Sequence, residues 1–420
     1  MQRICRSRHL CTTFLIAVSL TRLATAQQVF TWQQIRDRFI ATNPTLKAGR
    51  IGIDESRADE VTAYLRPNPD ATVGVDQLQP FTSNPYRPLA FALPIYSFSY
   101  LHERGHKREL RLESARQATD IAESQQQDLE RTMVFTVRNT FVQLLQAKQV
   151  LALARETLAY YDNLLSINEA RQKAGDIARV DLIRLKLQRV QFETDVQTAL
   201  VNLRTAKIQL LTLLNDRTSV DQFDVTGTFD FTEDIPPLTR LRQMAADNRP
   251  DLKASVRTIE KAKTDHKLAI ANGSTDPTFG VDVAHNPPLT FYFGVNVSIP
   301  LRIFDRNQGE KQKTLLDISR SERTRDATEA QVFGDVDSAY ATLNSNLALL
   351  RPYKSDYLKQ ATEVRDIISY SYEHGGASLL DFLQAQSDYR SIQVAYLNLI
   401  GAFLTAGSQL DQAVGAEVVL

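Results

Sequence analysis

Cysteine is absent from most of this 420-residue chain, because Cys5 and Cys11 both lie within its first 26 residues. This N-terminal stretch contains basic residues, then the short apolar run TTFLIAVSL, then Ala24-Thr25-Ala26. That order is typical of a cleaved secretory signal. We therefore expect residues 1–26 to be removed, which leaves a chain without disulfides or thiol chemistry. Cys11 precedes the apolar run, so no lipid anchor is expected there.

The chain also lacks a hydrophobic run long enough for a membrane-spanning helix, since the apolar run of the signal is too short. It carries no excess of positive charge. The 49 basic and 49 acidic residues balance, and removing the four arginines of the signal leaves 45 against 49, a net charge of −4. A nucleic-acid partner, which calls for a basic patch, is not expected. No glycine loop for phosphate and no nucleophile constellation occurs, so we expect neither a cofactor nor an enzyme.

Proline and glycine are scarce in two long stretches, which predicts very long helices. From His102 to Lys173 there is one glycine and no proline, and from Gln308 to Glu373 only Gly309, Gly334 and Pro352 interrupt. A helix of some 70 residues would be on the order of 100 Å long. Leucines recur every seven residues in the first stretch, which predicts a coiled-coil seam. These leucines are Leu144, Leu151, Leu158 and Leu165.

Short sequence patterns recur in order along the chain, which indicates a tandem duplication. The alternative is coincidence among common residues. The offset is 206 residues in the first part of the repeat and 200 near its end. The pairs are Pro44-x-Leu46-x-Ala48 with Pro250-x-Leu252-x-Ala254, Gly74-Val75-Asp76 with Gly280-Val281-Asp282, Pro94 with Pro300, Gly175 with Gly375, and Asp181 with Asp381.

Each copy is predicted to contain a helix, a β-hairpin and a long helical hairpin. In the second copy, Phe291, Phe293 and Val295 alternate with polar or small residues, as in a half-buried strand. The predicted first repeat is 27–214, with a β-hairpin at 70–98 and a helical hairpin at 102–214 whose tip is near 175–181. The predicted second repeat is 239–413, with the corresponding elements at 277–303 and 308–413 and a tip near 375–381. Residues 215–238 form a short non-helical linker between the repeats, and residues 414–420 form a tail.

The predicted strands have the length and alternation of strands that cross an outer membrane. Four strands cannot close a barrel, and an open edge in lipid leaves backbone groups unpaired. We therefore expect three chains to contribute twelve strands around an open lumen. The predicted fold class is mainly α with transmembrane β: a long antiparallel α-helical coiled-coil barrel joined to a β-barrel with four strands per protomer and twelve in a trimer.

Over its whole mature length the chain resembles the TolC-like outer-membrane efflux proteins. The turns GDIARVDL at 175–182 and GGASLLDF at 375–382 look like the paired helix-hairpin tips of that family. The segment IPLRIFDRNQG at 299–309 resembles the strand-to-helix junction of its CzcC/CusC-like heavy-metal branch. The implied strand-helix junction residues are Pro94, Pro300, Asn307 and Gly309.

The resemblance implies a homotrimer in outer-membrane lipid with an extension into the periplasm of a Gram-negative-type bacterium. It implies a periplasmic adaptor protein and an inner-membrane pump of the RND type as partners. The cargo would be heavy-metal cations or small toxic compounds. The alternatives are an exit duct for type I secretion and a periplasmic coiled-coil scaffold without a pore. The residues implied to dock the adaptor at the tips are Gly175, Arg179, Gly375, Gly376 and Ser378.

Asp181 and Asp381 occupy the positions where the family carries inward-facing aspartates at its periplasmic mouth. Gln384 stands where TolC has a second aspartate, and Ala377 stands where it has an arginine. These departures argue against a salt-bridged gate of the TolC type. An acidic constriction remains as the hypothesis for Asp181, Asp381 and Gln384, and it would favour cations. The alternative is that the two aspartates only cap helices.

The segment at 102–106 matches a catalytic sequence pattern. His102-Glu103-Arg104-Gly105-His106 fits the HExxH pattern of zinc peptidases. It follows a predicted strand, contains a glycine and has no histidine in the corresponding part of the second repeat. We therefore interpret it as a solvated helix start.

Overall fold

The duplication is the organising feature of the fold. The computed structural model describes residues 28–78, 80–81, 85–89, 92–286 and 289–419; the predicted signal at 1–26 lies outside these ranges. Each repeat has two short helices, a strand pair and a long helical hairpin. In the first repeat the helices are α1 (Trp32–Thr42), α2 (Pro44–Tyr64), α3 (Lys107–Ala174) and α4 (Arg179–Leu213). In the second they are α5 (Leu238–Asn248), α6 (Pro250–Asn272), α7 (Gln308–Pro352), α8 (Leu358–Glu373) and α9 (Leu379–Val414).

The beginnings of the short helices show how the two copies correspond. In the first repeat the Oδ1 atom of Asn43 accepts hydrogen bonds from the backbone N–H groups of Thr45 and Leu46, which are two of the donors left free at the start of α2. Arg249 occupies the same place before α6 with nearly the same backbone angles. Proline follows each of these residues, at a helix position that needs no N–H donor. The predicted offset of 206 residues is therefore confirmed in this part of the chain.

The core also follows the repeat. Ile35 of α1 and Leu241 of α5 are 206 positions apart, and both are fully buried. One apolar cluster joins α1 to α3 and α4 around Phe141 and Leu210. A second joins α5 to α7 and α9 around Val336 and Phe403. Each short helix thus packs against the long hairpin of its own repeat.

Helix α3 spans 68 residues, about 100 Å, as the scarcity of proline and glycine predicted. Its counterpart in the second repeat is not continuous. Proline lacks the N–H donor that a helix interior needs, and α7 ends at Pro352. A five-residue π turn, Tyr353–Tyr357, then leads into α8. No helix in the described ranges has both the length and the apolar composition needed to cross a bilayer.

The strands form two sheets. The four-stranded sheet contains β2 (Asp70–Asp76), β3 (Leu93–Leu101), β5 (Thr278–Asn286) and β6 (Leu289–Ser298), in the order β2-β3-β5-β6 and antiparallel throughout. The smaller sheet pairs β1 (Gln28–Phe30) in parallel with β4 (Phe223–Val225). β4 lies in the linker predicted at 215–238, so the linker is tied to the N-terminal strand.

The expected role of Pro94 is wrong. Pro94 is the second residue of β3 and pairs with Val75, so it opens this strand instead of joining a strand to a helix. The predicted hairpin at 70–98 accordingly runs on to Leu101. The mismatch arises because 16 positions separate β2 from β3 whereas two separate β5 from β6, so the offset of 206 does not apply to the second strand. Pro287 and Pro288, between β5 and β6, lie outside the described ranges.

Candidate functional site

The four-stranded sheet has one continuous apolar face. The register places Tyr96 opposite Val283 and Phe98 opposite Val281, and Val281 in turn faces Val295. Side chains on this face are between 38% and 72% exposed although nearly all are large and apolar. They are Val73, Val75, Tyr96, Phe98, Phe279, Val281, Val283, Phe293, Val295 and Val297. The predicted alternation is therefore present in three dimensions, and it leaves an apolar surface that the chain itself does not cover.

The opposite face of the same sheet is mainly polar or small. Asn296 on β6 donates a hydrogen bond to Asp282 on β5 at 3.2 Å. Gly280 and Gly294 face these two side chains directly, and a Cβ at either position would lie within 2.4 Å of them. Glycine at these two positions therefore leaves the space that the Asp282 and Asn296 side chains occupy. Thr72, Ser97 and Ser99 lie on this face too.

Both outer strands of this sheet have an unpaired edge among the described residues. β2 pairs only with β3, and β6 pairs only with β5. Exposed N–H and C=O groups on a strand edge are a template for another strand. A segment of a larger closed sheet would need unpaired edges on both sides. The four-stranded sheet has such edges, and one of its faces is apolar.

The two helical hairpins turn in the same way at their tips. Gly175 and Gly375 both have positive φ, at 90° and 76°, where a side chain would be strained. The N–H of Asp176 bonds to the carbonyl of Arg171, and the N–H of Gly376 bonds to that of Ser371. Both bonds span five residues, as in a Schellman motif. The predicted docking residues Gly175, Arg179, Gly375, Gly376 and Ser378 are all exposed at these tips.

The two aspartates of the tips are equivalent in the repeat but differ in their bonding. Asp381 is the third residue of α9 and forms a capping box with Ser378, whose Oγ donates to Asp381 Oδ2 at 2.7 Å. Asp181, the third residue of α4, lies 3.7 Å from Arg184, and no side chain caps that helix. The capping interpretation therefore holds for Asp381 and not for Asp181. Exposed Gln384 donates to Asp388 one helical turn further on.

Aromatic side chains join the two hairpins just above the tips. Tyr161 of α3 packs on Phe192 of α4 with ring centres 4.2 Å apart, and Tyr372 of α8 stacks on Phe382 of α9 at 4.8 Å. The hydroxyl of Tyr372 donates to Asn168 of α3 at 3.1 Å, which bridges the hairpins. Burial raises the pKa of Tyr372, with Arg171 opposing and Asp181 adding to the rise. Tyr372 of the second hairpin thus lies within electrostatic reach of Asp181 at the first tip.

Two exposed apolar stripes lie on the helices that this packing leaves uncovered. The α4 stripe is Val180, Ile183, Leu187 and Val190, with side chains 47% to 67% exposed. The α8 stripe is Val364, Ile367 and Tyr370, 53% to 64% exposed. Neither stripe was predicted from the sequence. The apolar residues along α4 are spaced by three and four positions, which is the pattern of a coiled-coil seam. The α4 stripe could therefore have been predicted from the sequence.

The HExxH pattern lacks the geometry of a zinc peptidase. Helix α3 begins at Lys107, so His102 and His106 do not share a helical turn. Glu103, which would have to activate water, forms a two-pronged ion pair with Arg111 at 2.5 and 2.9 Å. No cluster of three potential metal ligands occurs among the described residues.

The strand-helix junctions lie side by side at the helical end of the sheet. Lys107 is buried, and its ammonium group contacts Asp276 at 2.5 Å, which ties the start of α3 to the segment before β5. Pro300 follows β6 directly, and Asn307 precedes α7 with a positive φ, as His106 does before α3. Gly309 is the second residue of α7. Pro300 and Asn307 thus lie in the connection from β6 to α7, and Gly309 lies in the first turn of α7.

Comparison with known proteins agrees with this architecture. Residues 241–416 match the family described as Outer membrane efflux protein. The chain is 23% identical to the cobalt-zinc-cadmium resistance protein CzcC of Cupriavidus metallidurans, over 89% of this chain and 87% of CzcC. It is also 23% identical to the pyoverdine export outer membrane protein OpmQ of Pseudomonas aeruginosa, over 73% of this chain and 66% of OpmQ.

Among solved structures, the CusC channel superposes with a TM-score of 0.77 over 92% of each chain, at 16% sequence identity. This similarity establishes the fold, and the family match at 241–416 covers nearly the whole second repeat predicted at 239–413. Together they confirm the resemblance that the tips and the junction indicated. The chain thus has the fold of the CusC channel, and its second repeat matches the family described as Outer membrane efflux protein.

Proposed function

We propose that three copies of this chain form a passive exit duct for substrates that an inner-membrane pump delivers through a periplasmic adaptor. The observation that carries the proposal is the open-edged sheet, apolar on one face and polar on the other, attached to two long helical hairpins. A passive duct moves its cargo with energy supplied by the pump, which we propose to be of the RND type.

Closure of the sheet is the reason for three copies. An unpaired backbone group in hydrocarbon costs several kcal/mol, so β2 of one copy would pair with β6 of the next. Twelve strands then enclose a lumen lined by the polar face, which includes Asp282 and Asn296. The apolar face would contact lipid, as in other outer-membrane barrels.

The helical hairpins would close into a tube in the same arrangement. The α4 stripe of one copy and the α8 stripe of its neighbour are the surfaces we assign to this contact. Each is apolar, and within one copy each is exposed. Burial of such a stripe is favourable by roughly 25 cal/mol per Å² of apolar surface. The stripes would therefore seal the tube between copies.

The periplasmic mouth would carry the acidic constriction. Asp181 and Asp381 lie in the first turns of α4 and α9, and three copies bring six carboxylates to the end of the tube. A ring of carboxylates attracts cations and repels anions. Gln384 adds no charge to this ring. The adaptor would dock on the exposed tip residues, including Arg179 and Ser378.

We propose heavy-metal cations or small toxic compounds as the cargo. The relative CzcC is named for resistance to cobalt, zinc and cadmium, whereas OpmQ is named for export of pyoverdine. The sequence IPLRIFDRNQG at 299–309 supports the first class.

Conductance of the purified full chain in planar lipid bilayers tests the duct. We expect discrete channel currents that favour cations, together with a trimer mass by native mass spectrometry. A coiled-coil scaffold without a pore would give no channel currents, and that result would exclude the proposal.

A further inference from the structure

The segment Ile299 to Phe304, which we call the junction segment, is strongly exposed and rich in apolar residues. Phe304 is 89% exposed and Leu301 is 80% exposed, and Ile299 and Ile303 are more than half exposed. Such a density of bare apolar side chains marks an interaction surface. The segment lies between the end of β6 and the start of α7, at the helical end of the sheet.

The first repeat has nothing comparable at the same level. There the connection from β3 to α3 is His102 to His106, which is polar, and its Glu103 is ion-paired to Arg111. Both connections end in a residue with positive φ, His106 and Asn307, just before a long helix. The two connections therefore share a place in the fold but differ in chemistry, so folding alone does not require the apolar residues.

Hydrogen bonds hold the junction segment in a defined shape. The N–H of Ile303 bonds to the carbonyl of Leu301 at 3.0 Å, and the carbonyl of Phe304 accepts from the Gln308 side chain at 3.1 Å. The Asn307 side chain donates to the carbonyl of Ala269 on α6 at 2.8 Å. Leu301 and Phe304 are thus presented outward by an ordered turn.

The position of the segment indicates what covers it. Val295 and Val297 belong to the apolar face of the sheet, and Ile299 continues their alternation beyond the last paired residue. The apolar surface therefore extends past the end of the sheet toward the helices. Arg302 and exposed Arg306 interrupt it with positive charge, and the buried Nε of Arg302 has no hydrogen-bond partner among the described residues.

We infer that the junction segment is a membrane-interface anchor. Leu301 and Phe304 lie at the boundary between headgroups and acyl chains of the leaflet nearer the helices, and exposed Arg306 contacts lipid phosphates. Aromatic and apolar side chains beside arginine are the composition that favours this boundary. The inference rests on the proposed function, because it requires the sheet to lie in a membrane. The further point is that the connection from β6 to α7, and not the one from β3 to α3, fixes how deeply the sheet lies in the membrane.

Tryptophan fluorescence in phospholipid vesicles tests the anchor. The chain has a single native tryptophan, Trp32, so a Trp32→Phe background allows one reporter at a time. Phe304→Trp is the test variant. Phe293→Trp on the apolar face of β6 and Leu380→Trp at the helical tip are the matched controls. The quenchers are phospholipids brominated near the headgroup, phospholipids brominated near the acyl-chain end, and aqueous acrylamide.

We expect the reporter at position 304 to lose at least half its emission with bromine near the headgroup and much less with bromine near the chain end. Quenching at 304 by acrylamide alone, as expected at 380, would place the segment in water and overturn the inference. Protection at 304 from every quencher would mean that a second copy of the chain covers it, which also overturns it. In both cases bromolipid quenching at 293 leaves the proposed membrane sheet standing. If the reporter at 293 is not quenched by lipid either, the proposed function fails as well.

Discussion

The carboxyl group of Asp411, near the end of α9, accepts hydrogen bonds from the backbone N–H groups of Val418 and Val419 at 2.8 and 3.1 Å. Burial raises its pKa to about 6, against the opposing effects of these bonds and of Arg138. The folded protein therefore binds a proton at Asp411 more tightly than the unfolded chain does. The tighter proton binding stabilises the folded state. This stabilisation is complete below the unfolded pKa near 4 and is lost as the pH rises through about 6.

Asp411→Asn keeps the Oδ1 acceptor for the C-terminal tail and removes the ionisation. We expect this variant to be more stable than the parent at pH 8, by on the order of 2 kcal/mol, with no difference near pH 4. The measurement is the midpoint of thermal unfolding by circular dichroism across this pH range. Asp388→Asn, at an exposed acid on the same helix, should leave the pH dependence unchanged. An equal gain for Asp411→Asn at both pH values would contradict the titration argument.

The tip aspartates give a second prediction for single residues. Replacing Asp181 and Asp381 together by Ala removes six carboxylates from the proposed trimer mouth, so cation preference should fall and single-channel conductance should rise. The control is Ser378→Ala, which breaks the capping box at α9 at a cost of about 1 kcal/mol but keeps both carboxylates. Unchanged currents in the double variant, or an equal change in the control, would remove the constriction hypothesis.

At the scale of the elements, the strands carry the membrane assignment. Val295 and Asn296 are neighbours on β6 but lie on opposite faces of the sheet. Val295→Lys places a charge on the proposed lipid face, which costs about 2–4 kcal/mol near the middle of a bilayer. We expect loss of trimers from the membrane fraction for this variant and normal assembly for Asn296→Lys, whose charge would face Asp282. Normal assembly of both variants would show that the apolar face does not contact lipid.

The sequence determined the long elements well and the short ones poorly, for physical reasons. Roughly 70 residues without proline and with leucines seven residues apart favour a long helix, so α3 could be predicted. β1 and β4 have three residues each, too few to show a period, and were missed. Pro94 was matched to Pro300 because the offset of 206 residues was carried across two hairpin loops of different length. The capping box at Asp381 could be expected from its first-turn position, whereas the proximity of Asp181 to Tyr372 depends on packing between hairpins.

At the scale of the whole molecule, the proposed tube depends on contacts between copies. Leu187 is at the centre of the α4 stripe and is 67% exposed within one copy. Burying a leucine is worth about 1.5–3 kcal/mol, so Leu187→Glu should weaken association of the copies at least tenfold. Native mass spectrometry over a dilution series measures this, and Leu187→Met, which keeps the apolar contact, is the matched control. Equal dissociation of both variants would mean that the α4 stripe is not an interface.

The π turn at Tyr353–Tyr357 makes the two hairpins mechanically unequal. The first helix of the first hairpin, α3, is continuous, whereas the π turn divides the first helix of the second hairpin into α7 and α8 and can act there as a hinge. The 16 residues of α8 are a lever of about 24 Å, so a rotation of about 10° at the hinge would carry its end through about 4 Å. In the proposed ring of three copies, hairpins with a continuous first helix and hairpins with a hinged first helix would alternate. A swing of α8 in every copy would then widen the proposed mouth while α3 keeps its position.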